Sequence, residues 1–248
     1  MEPSHGHDNP LDLRSVSTWQ QPDPVSSWPA RQRVVTEVAK IICARSAGRL
    51  RVAVDGRSGS GKTTFGHELA AAVRTLGRPT LRASMDDFKF PRRHAQEHGY
   101  DRLTGPGYYR NAYDFASARN LLLTPAAPSG TGQVVLCAFD PLTGTQYTHV
   151  TVVAPATAIL IVDTVFAFRR EYDDLWEFRI WLDVLPSVAF ARGVARDQET
   201  ERYNDAVRVH RDQYGVAEDH NLTEVDPLIR ADLVLENSDI SKIAIVAR

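Results

Sequence analysis

Gly56-Arg57-Ser58-Gly59-Ser60-Gly61-Lys62-Thr63 is the stretch of this chain whose residue types and spacing carry the most chemistry. It fits G-x-x-x-x-G-K-[ST] at every fixed position, the pattern of a loop that cradles phosphate. Glycine lets successive backbone N–H groups turn inward as an anion nest, and a helix N-terminus behind the nest favours negative charge. A lysine at the position of Lys62 reaches the β and γ phosphates of a nucleotide, and the hydroxyl of Thr63 can ligate magnesium. The expected cofactors are ATP and Mg²⁺, with Gly56, Ser58, Gly59, Ser60, Gly61, Lys62, Thr63 and Thr64 around the phosphates. The plainer reading is a solvated glycine-rich turn. It fits the context less well, because an apolar run precedes the motif and a helical pattern follows it.

Such a loop does not say what is done with the nucleotide. The Asn-Lys-x-Asp of a GTPase and the Leu-Ser-Gly-Gly-Gln of a transport ATPase are both absent from the sequence. A small-molecule kinase suits the length better, and it needs a carboxylate to orient or deprotonate the acceptor hydroxyl. Asp86, in the pair Asp86-Asp87 at the end of an apolar stretch, is the candidate; a turn or helix-cap pair is the competing reading.

The elements that must position these groups follow from periodicity. Residues 49–55 and 80–84 read as strands and residues 63–76 as the helix between them, closed by Gly77 and Pro79. Apolar runs at 158–162, 178–184 and 231–236 predict further strands, and 186–197 and 199–214 predict helices. Valine and isoleucine recur at helical spacing from Ala30 towards Gly48, and residues 114–123 also read as helical. The polar, aromatic stretch 90–113 is long for a connection and reads as a substrate loop. Residues 134–139 and 146–153 suggest a hairpin, a small β-rich flap. Strands alternating with helices predict an α/β, three-layer domain with a mostly parallel sheet over residues 31–248. Residues 1–30, rich in proline and carrying Trp19 and Trp28, read as a poorly ordered tail.

Composition removes several partners. The chain has 248 residues, with 29 Lys plus Arg against 31 Asp plus Glu, so its net charge of −2 gives no general attraction to a nucleic acid polymer or an anionic membrane surface. No apolar run approaches the roughly 18–20 residues that span a bilayer, and the first ten residues lack the apolar core of a secretion signal. A cytoplasmic location is therefore expected. Cys43 and Cys137 cannot form a disulfide framework and read as reduced core residues. A homo-oligomer is left open.

Val-Asp-Gly-Arg-Ser-Gly-Ser-Gly-Lys-Thr-Thr at 54–64, followed by Ser-Met-Asp-Asp-Phe at 84–88, resembles the uridine kinase-like P-loop kinases, whose relatives include phosphoribulokinase and bacterial pantothenate kinase. The resemblance runs on through Gly-Tyr-Tyr-Arg-Asn-Ala-Tyr-Asp at 107–114, Ile-Leu-Ile-Val-Asp at 159–163 and Ala-Arg-Gly-Val-Ala-Arg-Asp at 191–197, to Ala-Asp-Leu-Val-Leu-Glu-Asn at 231–237. It implies a P-loop fold of nucleoside-kinase type and transfer of the ATP γ-phosphoryl group to a small-molecule hydroxyl. Asp86 would be the base, and Asp163 would hold magnesium with Thr63. Arg192 and Arg196 would close over the phosphates beside Lys62. An exposed helix face is the other reading of these two arginines.

The sequence also departs from the family. Where nucleoside kinases carry an Asp-His-Pro segment that grips the ribose, Tyr108-Tyr109-Arg110 stands as the candidate acceptor contact, and the ribose-gripping acid is absent unless Asp101 or Asp114 supplies it. Thr164 replaces the usual glycine after Asp163, and Lys89 replaces an aromatic or histidine. Three readings stay open: a uridine kinase-like nucleoside kinase, a same-fold kinase for another alcohol, and a nucleotide-binding regulatory protein without transfer activity.

Overall fold

The computed structural model of the chain describes residues 11–18, 28–199 and 205–247. Seven strands form the central sheet: β1 (Asp12–Arg14), β2 (Leu50–Gly56), β3 (Thr80–Ser84), β6 (Ile159–Asp163), β7 (Phe178–Asp183), β8 (Leu233–Glu236) and β9 (Ala244–Ala247). Their order is β1-β3-β6-β2-β7-β8-β9, parallel throughout except that β9 runs antiparallel to β8. The remaining strands, β4 (Gln133–Val134) and β5 (Val152–Val153), pair antiparallel in a separate two-stranded sheet. The α/β, mostly parallel architecture is as the sequence implies.

Alternation along the buried strands sorts their side chains to two faces. Val52, Val54, Ile159, Ile161, Ile180 and Leu182 meet the helices α1 (Pro29–Arg45) and α2 (Lys62–Thr75) through Val35, Val38, Ile42, Phe65 and Leu69. Ala53, Leu81, Leu160 and Val162 turn to the other face, beneath an aromatic layer that includes Tyr108, Tyr109, Phe166, Phe168 and Trp176. Burying one large aliphatic side chain stabilises by roughly 1.5–3 kcal/mol, against under about 1 kcal/mol for an exposed pair such as Arg93–Glu97. The two apolar faces therefore fix where the carboxyl ends of the strands stand.

Several expectations need correction. The stretch read as a tail contributes β1, whose register with β3 sets Asp12 beside Thr80 and Arg14 beside Arg82. Three residues are too few to leave a period, so pattern reading misses such a strand. Trp28 is the half-exposed residue ahead of α1, and Trp19 lies outside the described residues. The flap is less β-rich than expected. Its hairpin is reduced to the two-residue pairing of β4 with β5 and one bridge between Phe139 and Gln146, beside the expected turn at 140–145. The long stretch after Phe90 holds two short helices, Arg92–Glu97 and Gly105–Asn111. Residues 206–225 are helical, with a wider i→i+5 turn over Val209–Gly215, and residues 200–204 lie outside the description. Cys137 is buried, Cys43 half-buried, and both are free thiols. Among the described residues no helix is long and apolar enough to cross a membrane.

Candidate active site

The loop after β2 needs backbone conformations that favour glycine: φ is 81° at Gly59 and 91° at Gly61, which caps α2. Gly59 has a second constraint, because a Cβ there would collide with the Ala189 carbonyl of the helix Pro186–Glu199. Lys62 Nζ donates to the carbonyls of Gly56 and Arg57, each at 2.8 Å, and burial lowers its pKa against the attraction of Asp55, Glu218 and Asp163. Ser58, Gly59, Gly61, Lys62, Thr63 and Thr64 line a cleft of about 960 Å³. Gly56 and the fully buried Ser60 stand behind the loop instead, where Gly56 abuts Leu182 and Ser60.

Asp163, at the end of β6, reaches under the loop. Its Oδ2 accepts from the Thr63 hydroxyl at 2.9 Å and from the Ser84 hydroxyl at 3.2 Å, and its Oδ1 is paired with Arg82. Hydroxyls and a carboxylate are hard oxygen donors, and that set suits magnesium, which is commonly held by one or two carboxylates together with substrate phosphates. Arg82 is fully buried within β3 and also donates to the carbonyls of Thr63 and Ile161. It fits only because residue 66 is glycine, since a Cβ at Gly66 would stand 2.6 Å from its guanidinium.

The acidic pair splits. Asp86 faces the cleft with Lys89 at 2.9 Å, its backbone N–H held by the Ser84 hydroxyl. Asp87 is fully buried, and desolvation pushes its carboxyl up to about 7, an effect that the nearby Ser17 and Ser15 only partly offset. Tyr108 lines the cleft near the ring of Tyr214, 4.9 Å between centroids. Tyr109 and Arg110 do not line it, which corrects the expectation for those two. One helical turn points the neighbours apart: Tyr109 packs under Arg169, 4.5 Å from its ring, and Arg110 is exposed. Neither substitute for the ribose-gripping acid faces the cleft. Asp101 accepts from the N–H groups of Leu103 and Thr104, and Asp114 caps the next helix through Ser117.

Arg192 and Arg196 both reach the cleft. Arg192 donates to the carbonyls of Asn237 and Ser238, at 3.0 and 2.5 Å. Arg196 Nε donates to Asp197 at 2.8 Å, and the other oxygen of Asp197 meets His210 Nε2 at 2.8 Å. Those hydrogen bonds hold the Asp197 carboxyl down at about 2 despite its burial.

In amino-acid sequence no family model and no curated protein matches the chain. In structure the chain is similar to a possible uridine kinase from Bacillus stearothermophilus, with TM-score 0.61 and 26% identity over 82% of this chain and 97% of that one. The chain has the uridine kinase-like P-loop kinase fold. Two further structures share it. One is a candidate fructose transport system kinase from Silicibacter sp. TM1040, with TM-score 0.64 and 22% identity over 77% of this chain and 95% of that one. The other is a D-glycerate 3-kinase from Cryptococcus neoformans var. grubii, with TM-score 0.54 and 12% identity over 86% of this chain and 98% of that one.

Within this kinase fold, three charged residues escape a motif search. Arg82 left one sign, a lone charge in an apolar strand. Asp55 is fully buried beside the loop, and desolvation raises its carboxyl to about 7 while it accepts from the N–H groups of Gly56 and Ala167. It thereby secures the turn at Phe166, whose φ of 68° is strained for an aromatic residue. Glu218, on the helix Val216–Val225, places its carboxylate on the phosphate loop, accepting from Ser58 N–H at 2.6 Å and Arg57 at 3.2 Å.

Proposed function

We propose that the chain transfers the γ-phosphoryl group of ATP to a hydroxyl of a small molecule. The observation that carries this reading is that the glycine-rich loop and the Asp86 carboxylate face one cleft, from the carboxyl ends of the parallel strands β2 and β3, which flank β6. Asp86 takes the proton of the acceptor hydroxyl while that oxygen bonds to the γ-phosphorus and the bond to the departing ADP oxygen breaks. Lys62 and the loop N–H groups hold the phosphates, and Arg192 and Arg196 offer positive charge across the cleft from α2. Magnesium, when bound, neutralises phosphate charge; Thr63 and Asp163 are the residues that would hold it. Positioning and charge stabilisation are the main contributions, since a loose phosphoryl-transfer transition state asks little covalent work of the protein.

The rings of Tyr108, Tyr113, Phe90 and Tyr214 along the cleft are the support for a nucleoside, although Tyr108 packs on Tyr214, Phe90 on His94 and Tyr113 on Phe115. Against a nucleoside stand the commitments of Asp101 and Asp114 to helix and turn caps. The acceptor class is therefore proposed at the level of a small-molecule alcohol.

Acceptor-dependent ADP release across nucleosides, sugars, hydroxy acids and amino alcohols tests the reading. Asp86→Asn is expected to keep ATP binding and lower release by about 10²–10⁴-fold. Wild-type chain that binds ATP and releases no ADP with any acceptor would favour a regulatory nucleotide-binding protein.

A further inference from the structure

The arginines of the cleft wall differ in what neutralises them. Arg31 is paired with Glu68 at 2.7 Å, Arg93 with Glu97 at 2.7 Å and Arg196 with Asp197 at 2.8 Å. Among the described residues only Arg192 and Arg102 line the cleft without a carboxylate partner. Arg192 stands at the phosphate end, where the charge of a nucleotide is expected. Arg102 stands at the other end: its Nη1 donates to the Phe90 carbonyl at 2.8 Å, four residues beyond Asp86, and its own carbonyl receives Gln213 beside Tyr214.

With Nη1 on Phe90 and Nε buried without a hydrogen-bond partner, Nη2 is the donor left for the cleft. A bare Nε is not unusual by itself in this chain. Arg82, Arg169, Arg179 and Arg230 share it, but each of those holds a carboxylate through Nη2: Asp163, Glu171, Asp173 and Asp173. Arg102 has no such neighbour. A half-buried guanidinium without counter-charge is costly, and a charge-assisted hydrogen bond from its Nη2 to a carboxylate or phosphate in the cleft would relieve that cost. The remaining charges at this end do not supply the anion. Asp86 is engaged by Lys89, and Glu97 by Arg93.

We propose that the acceptor alcohol carries an anionic group, a carboxylate or a phosphate, and that Arg102 receives it. Resting on the phosphotransfer reading, this narrows the acceptor from any small alcohol to a hydroxy acid or a phosphorylated polyol. A neutral nucleoside leaves Arg102 without a counter-charge.

Matched sets test it: glycerol, glycerate and glycerol 3-phosphate, and ribose, ribonate and ribose 5-phosphate. Each is titrated calorimetrically into the full chain with magnesium and a non-hydrolysable ATP analogue. At least one anionic member should bind tenfold or more tightly than its neutral parent, and the preferred set member tells carboxylate from phosphate. Arg102→Gln should remove that preference, Arg102→Lys should keep part of it, and both should bind the ATP analogue as the wild type does, which shows that they are folded. Equal binding of neutral and anionic members, no saturable binding by any anionic member, or an unaltered preference in Arg102→Gln overturns the proposal. ADP release measured alongside judges the kinase reading separately: selective anion binding without release would sink that reading and leave the anion site standing.

Discussion

The two ends of the cleft are built by different means. At the end proposed for the nucleotide the framework is a backbone loop, set by the glycines at 59 and 61, with Asp163 and Arg82 braced beneath it. At the end proposed for the acceptor the groups are side chains, Asp86, Lys89, Arg102 and Tyr108, carried on the segment after β3, a connecting loop and the short helix Gly105–Asn111. A backbone nest grips any phosphate chain, whatever its owner. A wall of side chains can be rewritten one residue at a time, so one fold can serve acceptors as different as those named for its structural neighbours.

If the ends are separable, variants should sort accordingly. The largest effects are expected from Asp86→Asn, as given above, and then from Lys62→Ala, which should lower transfer by roughly 10²–10³-fold and weaken ATP binding with it. Asp86→Asn acts on transfer alone, and equal losses of ATP affinity in the two variants would break the distinction. A smaller effect, of opposite sign, is expected from Glu218→Gln. The Glu218 carboxylate sits on Ser58 N–H, where a triphosphate must compete with it. Removing its charge should tighten ATP binding about tenfold, or about 1.4 kcal/mol; unchanged or weaker binding by titration would show that the carboxylate does not oppose the nucleotide.

The acid beside the base bears on stability and not on binding. Burial raises the Asp87 carboxyl from 3.8 to about 7, so the folded chain keeps a proton that the unfolded chain releases in that interval. Stability should therefore fall as pH rises from about 4 to about 7, by at most about 1.4 kcal/mol per pH unit for one such group. Asp55 contributes in the same direction. Asp87→Asn should flatten part of the slope in urea midpoints between pH 5 and pH 8, and an unaltered slope would place the titration elsewhere.

The same contrast explains what could be read from the sequence. The phosphate loop, the strand that precedes it and the helix behind it lie within 26 residues, Leu50–Thr75, so their chemistry is local and a motif captures it. Arg82 and Glu218 act on partners 81 and 160 residues away, and no spacing rule links them. Tyr109 and Arg110 show the converse: adjacency to Tyr108 in sequence suggests a shared role, and helical geometry turns each to a different environment. Asp86 was legible through its place after β3, but its distinction from Asp87 needed the burial of the latter.

The pairing of β1 with β3 has a practical consequence. Ser15 N–H donates to the Arg82 carbonyl and Thr80 N–H to that of Leu11, while Thr18 ties the segment to Asp140. Without residues 11–18, the strand that delivers Ser84 and Asp86 would present a row of unsatisfied peptide groups, a template for a neighbouring sheet. A shortened chain beginning at Trp28 would keep every nucleotide-binding motif and yet be prone to self-association. Its solubility, rather than its chemistry, would report the loss.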